Sequence, residues 1–391
     1  MFVSDMFENP WGGSEELWWE TAMKLVGGEV RVRASVIEWS PLHAKVQALI
    51  DAGVEVFMRP KEPSLASKVV CRLFGNMDTI HYQGLESWLR RDPPSLVVLN
   101  GQFGFFDSNL TDLLQRNGWP YICVSHSNAE FWWPTDEEAA GFARGIAGAL
   151  KMYFVSEGNR RLAAKQVALP IEKTGILRNP FGVNFDEPAP WTSVQPSEML
   201  EIACVGRLDP HSKGQDLLIE ALASPGWIDR KWTLNLYGSG PFREAITRVA
   251  RAAGVSERVV FKGHTPVSEI YAHNHVLALP SRAEGLPITI VEAMLSGRAV
   301  VTTDVAGNAE LLEEGVTGFI ADAPAVKRVI DALDRMWERR GELEAIGLAA
   351  HHAARRQLSR DPAADFAEII MDSIARTRDE RVGGAMETLT A

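Results

Sequence analysis

Cysteine is scarce in this chain. Cys71, Cys123 and Cys204 are the only three in 391 residues, and they lie far apart. That excludes a disulfide framework and a cysteine-based metal site, and it points to a reducing, cytoplasmic setting. Long apolar runs are also lacking. No stretch approaches the roughly 18 consecutive apolar residues of a membrane-crossing helix, and no basic-then-apolar leader opens the chain. Positive charge is in deficit, with 40 Lys and Arg against 51 Asp and Glu and a formal net charge of −11. Such a balance argues against nucleic acid as a partner. One local exception is Arg59, Lys61, Lys68 and Arg72, on or near a helix-like stretch from Ser64 to Leu73. It reads either as a solvated face or as a peripheral contact to anionic lipid or an acidic acceptor. Internal repeats and low-complexity segments are absent.

What is present is alternation. The length suits two domains, and 46% hydrophobic residues are ample for two cores. Strand candidates in the first half are Phe2–Ser4, Ser35–Ile37, Val54–Met58, Leu96–Leu99, Tyr121–Ser125, Met152–Ser156 and Gly175–Leu177. Segments with apolar residues at helical spacing separate them. The stretch from Asn179 to Ser197 breaks the pattern with four prolines and reads as a linker. The alternation then restarts at Ile202–Val205, Leu234–Tyr237, Val259–Phe261, Val276–Leu279, Ala299–Thr302 and Phe319–Ile320. This is an α/β chain of two Rossmann-like domains, with ligands expected at the strand carboxyl ends facing a cleft. The expected boundaries are 1–180, a linker at 181–197, a second domain at 198–361 and a terminal helix and tail at 362–391. Three helices are expected near the end, Pro324–Arg340, Glu342–Gln357 and Pro362–Thr377, with fraying from Arg378.

The most informative stretch runs from Pro280 to Met294 and holds Glu284 and Glu292. A buried strand ends at Leu279, a turn follows, and Pro287 suits the first turn of a helix that Gly297 stops. Eight positions at helical spacing would bring the two carboxylates to within about 80° of each other, about 12 Å apart along the axis. Between them Gly285, Leu286 and Ile288 would offer backbone N–H groups to an anion, with Pro287 shaping the turn. Sugar hydroxyl, phosphate and ribose hydroxyl occur in that order in a nucleotide-sugar. Upstream, Arg207 and Lys213 flank a strand end beside a helix start, which suits a diphosphate that gains charge as it leaves. Two solvated loop cations are the plain alternative.

In the first half, Gly12 and Gly13 allow close backbone approach just before a helix expected from Ser14. The third glycine of a dinucleotide fingerprint is absent. His126 follows a strand and should face the cleft, where an imidazole can bond a sugar hydroxyl. Lys262 ends another strand, near where a base edge would be read. Trp11, Trp18, Trp19, Trp132 and Trp133 read mainly as packing. Trp132 and Trp133, with Glu15, remain acceptor-site candidates.

With these pieces placed, the chain resembles the GT-B glycosyltransferases of family 4, which are retaining enzymes using nucleotide-sugar donors. The resemblance is carried by Gly206-Arg-Leu with Lys213-Gly214, Tyr237-Gly-Ser-Gly-Pro241, Glu284-Gly-Leu-Pro, Glu292-Ala-Met, and Gly307-Asn with Glu310. In the first half it rests on Gly12-Gly13, His126 and Asn179-Pro-Phe-Gly-Val183. The first strand is shorter than the family's, and the linker loop departs from its commoner Asn-Gly-Val.

The resemblance implies a GT-B fold, two domains facing across a deep cleft with the C-terminal helix crossing back to the first. It implies that Arg207 and Lys213 bind the donor diphosphate, Glu292 the ribose and Glu284 the transferred sugar. His126 would lie at the anomeric centre, with Gly12 and Gly13 closing over the diphosphate. It implies a hexosyltransferase that needs no divalent metal and no cofactor. Its donor would be a UDP-, GDP-, ADP- or dTDP-sugar, and its acceptor a sugar, glycolipid or small molecule. A sugar-nucleotide epimerase, a phosphorylase, or a non-catalytic nucleotide-sugar-binding protein on the same fold are the alternatives. Base, sugar, acceptor and oligomeric state stay open.

Overall fold

Short runs of valine, isoleucine and leucine between polar loops build two parallel sheets. The structure is a computed structural model that describes residues 1–7, 9–61, 82–101, 107–168, 172–191 and 199–390, without the side chains of 83 and 380–390. Cys71, Lys68, Arg72 and Pro196 lie outside the described residues.

The first sheet holds β1 (Phe2–Ser4), β2 (Arg33–Ile37), β3 (Glu55–Arg59), β4 (Val97–Gly101), β5 (Tyr121–Ser125), β6 (Lys151–Phe154) and β7 (Thr174–Ile176). Its order is β3-β2-β1-β4-β5-β6-β7. The second holds β8 (Leu200–Val205), β9 (Trp232–Tyr237), β10 (Val259–Gly263), β11 (Val276–Leu279), β12 (Ala299–Thr303) and β13 (Gly318–Ala321). Its order is β10-β9-β8-β11-β12-β13. Every strand pairing is parallel. Helices cover both faces, which is why β4, β5, β11 and β12 are buried along their whole length. The order reverses between β1 and β4 and again between β8 and β11. Such reversals open a crevice at the strand carboxyl ends.

Strand positions match the sequence reading to within a residue or two at each end. One difference matters: β4 runs on to Gly101, carrying Asn100 into the sheet opposite Ser4. At the far end of the chain the last helix is Pro362–Thr390, so its backbone continues past the expected fray point at Arg378. That helix packs on the first domain, with Phe366, Ile370 and Ile374 in one cluster with Trp18 and Val36. Lys24 pairs with Asp361 at its start (2.7 Å).

Arg59 corrects the reading of a basic face. It ends β3 wholly buried, donating to the Ser4 carbonyl and to Asp5 (3.2 Å). Its charge serves the sheet end and cannot meet a lipid surface. Lys61 lies over the Trp39 ring, 3.6 Å from its centroid. Among the described residues no helix is long and apolar enough to cross a membrane.

Candidate active site

The second domain supplies its cations from the loop after β8. Arg207 leaves the strand, a one-turn helix spans Pro210–Lys213, and the helix Gln215–Leu222 follows Gly214. The sequence reading missed the one-turn helix, although Asp209 before Pro210 is a cap followed by proline. Asp209 accepts from the His211 N–H (3.2 Å), the Ser212 hydroxyl (3.1 Å) and the Arg207 guanidinium (2.8 Å). Gly214 adopts φ 66, and a Cβ there would lie 2.1 Å from the Pro280 carbonyl oxygen. Only glycine lets the two loops touch. Arg282 clamps them from the other side, with both its terminal nitrogens 2.7 Å from the Asp216 carboxylate and Nη1 2.6 Å from the Pro210 carbonyl. This clamp sets Lys213 against Glu284: the Lys213 ammonium and the Ser281 hydroxyl each donate to Glu284 Oε1 at 2.7 Å.

Glu284 sits in the loop, because the helix begins only at Ile288 with Pro287 as its cap. The helical-wheel relation expected between Glu284 and Glu292 therefore does not hold. The two still flank the same helix start, with Gly285, Leu286 and Pro287 buried between them and Ile288 half-buried. Glu292 is only 5% exposed. Its Oε1 accepts from the Gly182 N–H at 2.9 Å. Burial pushes its pKa up to about 7, against the pull of that hydrogen bond and with a smaller push from Glu16. Lys262 ends β10 in solvent. Beside it the Gly263 carbonyl accepts from the Gly238 N–H (2.7 Å), which joins two loops that the sequence reading placed near a nucleotide.

The first domain brings its glycine loop to the same place. Gly13–Glu15 form a 3-10 turn before the helix Glu16–Leu25. A Cβ on Gly13 would come within 3.0 Å of Ile288 Cδ1, so this loop faces the helix start across the cleft. Gly12 is half-buried behind it. Glu15 is sequestered, 3% exposed. Its carboxylate accepts from Ser4 Oγ (2.6 Å), Trp18 Nε1 (2.9 Å) and Asn100 Nδ2 (3.0 Å), which leaves it little surface for an acceptor. Desolvation raises its pKa to about 7 despite these donors. His126 is 5% exposed with Nε2 2.7 Å from Asn100 Oδ1. Burial lowers its pKa to about 4, and Asn179 is its other polar neighbour. Trp132 is half-buried, while Trp133 and Phe131 are exposed on the loop beyond. Trp18 is core, and Trp19 donates to the Lys45 carbonyl (2.9 Å), as the packing reading expects.

Backbone contacts join the two walls. The Asn128 N–H donates to the Glu284 carbonyl (3.2 Å) in an isolated antiparallel bridge. A Cβ on Gly285 would fall 1.9 Å from the His126 carbonyl oxygen, so glycine permits the crossing. Glu310 of the second domain accepts from the Glu157 N–H (2.8 Å) and Gly158 N–H (3.4 Å) at the first turn of the helix Glu157–Val167, and from Arg178 (2.9 Å). The sequence reading assigned no role to Asn100, Asn128, Arg282 or Glu310. Asn100 carried a signal, as the first polar residue ending an apolar strand that points at the cleft.

Residues 200–339 match the model of the family Glycosyl transferases group 1. That match falls within the second domain, and the chain as a whole has the GT-B architecture. Among curated proteins, the chain is 33% identical over 158 residues to a GDP-mannose-dependent alpha-(1-6)-phosphatidylinositol monomannoside mannosyltransferase of Mycobacterium tuberculosis. That match covers 38% of this chain and 41% of the relative. It is 32% identical over 152 residues to a lipopolysaccharide core biosynthesis mannosyltransferase of Rhizobium meliloti, covering 37% and 43%. The matches thus span about two fifths of these relatives' lengths. The whole fold resembles an Anabaena protein solved with UDP and glucose (TM-score 0.71, 18% identity, 96% of this chain and 99% of that one). It also resembles a sucrose-phosphate synthase of Thermosynechococcus elongatus (TM-score 0.73, 14% identity, 96% and 99%).

Proposed function

We propose that the protein is a retaining glycosyltransferase that moves a sugar from a nucleotide-diphosphate sugar to an acceptor hydroxyl. The observation that carries this reading is the Lys213–Glu284 pair. It stands at the switch point of the second sheet, bridged through the Glu284 backbone to the loop that bears His126. The cation and the carboxylate pair directly, and the backbone of His126 passes against Gly285 next to them. In this reading residues 1–180 bind the acceptor, 198–361 bind the donor, 181–197 link them and 362–391 cross back.

Arg207 and Lys213 hold the diphosphate and gain strength as its charge grows on departure. Glu292, beyond the helix start, takes the ribose hydroxyls, and Glu284 takes a sugar hydroxyl once Lys213 turns to the phosphate. Lys262 and the Gly238 loop border the base. Gly12 and Gly13 close over the diphosphate, while Trp132 and Trp133 border the acceptor. Closure excludes water and limits hydrolysis. No residue of this set requires a metal or cofactor in its role. The mycobacterial and rhizobial relatives, named for a phosphatidylinositol mannoside and for lipopolysaccharide core, support an acceptor in glycolipid or polysaccharide assembly. In this reading the enzyme is cytoplasmic and reaches a lipid-linked acceptor at the membrane surface.

The test is thermal stabilisation by UDP-, GDP-, ADP- and dTDP-sugars without added metal. A ligand held at 100 times its Kd stabilises the folded state by about 2.7 kcal/mol. One nucleotide class should raise Tm, and Glu292→Ala should abolish the rise. No rise with any of the four classes would sink the reading.

A further inference from the structure

The glycine loop and His126 are joined by one side chain. Asn100 Nδ2 donates to the Ser14 carbonyl (3.2 Å) and to Glu15 Oε1 (3.0 Å), and Asn100 Oδ1 lies 2.7 Å from His126 Nε2. The direction of this amide is settled by its partners. Both groups on the nitrogen side are acceptors, and a flipped amide would press its oxygen against two of them. Glu15 is itself held in orientation, because Oε2 takes the Ser4 hydroxyl (2.6 Å) and the indole N–H of Trp18 (2.9 Å).

We propose that Asn100 is a positioning residue that locks His126 in the Nε2–H tautomer and ties its orientation to the Gly12-Gly13 loop through Glu15. An acceptor at Asn100 Oδ1 requires a proton on His126 Nε2. The neutral ring then carries its lone pair on Nδ1. That atom is buried; the Asn179 side chain hydrogen-bonds to the ring, but no bond to Nδ1 meets full geometry, and Asn179 Oδ1 is likewise buried without one. A buried lone pair without a donor is costly unless a ligand supplies one. The transferred sugar or the acceptor offers a hydroxyl donor. The chemistry of His126 toward substrate is thus to accept a hydrogen bond from a hydroxyl, and the loop that closes over the donor holds it ready to do so. This role for Nδ1 rests on the transferase reading, whereas the tautomer lock does not.

Histidine-selective 15N labelling reads the tautomer directly, with the His126 signals assigned by their loss in His126→Gln. The wild-type protein should show Nε2–H and a bare Nδ1. An Nδ1–H ring, or an average of both forms, overturns the lock, and this needs no variant to fold. Glu15→Gln is close to isosteric and makes the sharper arm. Trp18 can only donate, so the new amide must turn its oxygen to Trp18 and its nitrogen to Asn100. Asn100 then meets the new amide nitrogen and the Ser14 carbonyl on the same side, loses its single orientation, and the ring takes on Nδ1–H character. An unchanged tautomer in folded Glu15→Gln overturns the tie to the loop. With a donor identified by stabilisation, kcat of Glu15→Gln should fall roughly tenfold, the worth of one hydrogen bond, with donor KM unchanged. A shifted ring tautomer with unchanged kcat overturns the catalytic sense of the lock. A wild-type protein that transfers no sugar overturns the transferase reading instead, and the spectra still decide the tautomer.

Discussion

Glu292 is a carboxylate kept where folding favours a neutral group. Its pKa of about 7 in the folded protein lies above the ordinary 4.5. Between those values the folded state holds a proton that the unfolded chain has lost. Stability from this group therefore falls as pH rises from 4.5 to 7 and levels off above. Glu292→Gln retains an acceptor for the Gly182 N–H without the charge. Thermal melts should show a gain at pH 8 on the order of 3 kcal/mol, at 1.36 kcal/mol per pKa unit, shrinking to below about 1 kcal/mol at pH 5. An equal gain at both pH values would remove burial of charge as the cause. His126 works in the opposite sense, since its pKa is lowered to about 4. Acidification from 6.5 to 4 draws a proton onto the unfolded chain first and so destabilises the fold. At this scale the sequence was informative about residue type but not about state. Glu15 stood out beside the glycines, yet only the packing of Ser4, Trp18 and Asn100 shows that it faces inward.

Among the elements, the helix Glu157–Val167 is capped twice over. Ser156 Oγ accepts from the Asn159 N–H (3.1 Å), and Glu310 from the other domain takes the Glu157 and Gly158 N–H groups. A carboxylate at a helix N-terminus also meets the positive end of its dipole. Glu310→Ala leaves these N–H groups and Arg178 without that partner. It should lower unfolding free energy by roughly 1–3 kcal/mol and speed amide exchange at residues 157 and 158. Exchange that stays at the wild-type rate would deny the cap. Strands and long helices were legible from periodicity, because each satisfies its backbone locally or with a parallel neighbour. The one-turn helix at Pro210 has too few residues to show a period. The cap by Glu310 joins residues 153 apart in sequence, which no local pattern encodes.

For the molecule as a whole, the last helix completes the first domain. Phe366 and Ile370 are buried against it, Phe366 stacks edge-on to Tyr153, and Thr21 bonds the Ala363 carbonyl (3.3 Å). Each such side chain is worth about 1.5–3 kcal/mol when buried. A chain truncated before Pro362 should lose the first domain's cooperative unfolding and bind a hydrophobic dye, which calorimetry and fluorescence would register. Unaltered melting would mean the helix is an accessory. Two domains were legible because strand–helix alternation stops at a proline-rich stretch and restarts. How closely the domains meet was not, because it depends on the glycines at 13 and 285, where an absent side chain lets backbones cross.

The chain passes between the domains twice, once after β7 and once before Pro362. These two passages are fastened to each other. Arg178 donates to the Gln357 carbonyl (2.7 Å), and Asp186 pairs with Arg360 (2.5 Å) and Arg355 (3.2 Å). A joint made of two bound cords resists sliding and twisting far more than folding about its own line. Once the Asn128–Glu284 and Glu157–Glu310 bonds part, the expected motion of the two halves is a jaw-like swing about this joint, with the residues farthest from it travelling the greatest arc.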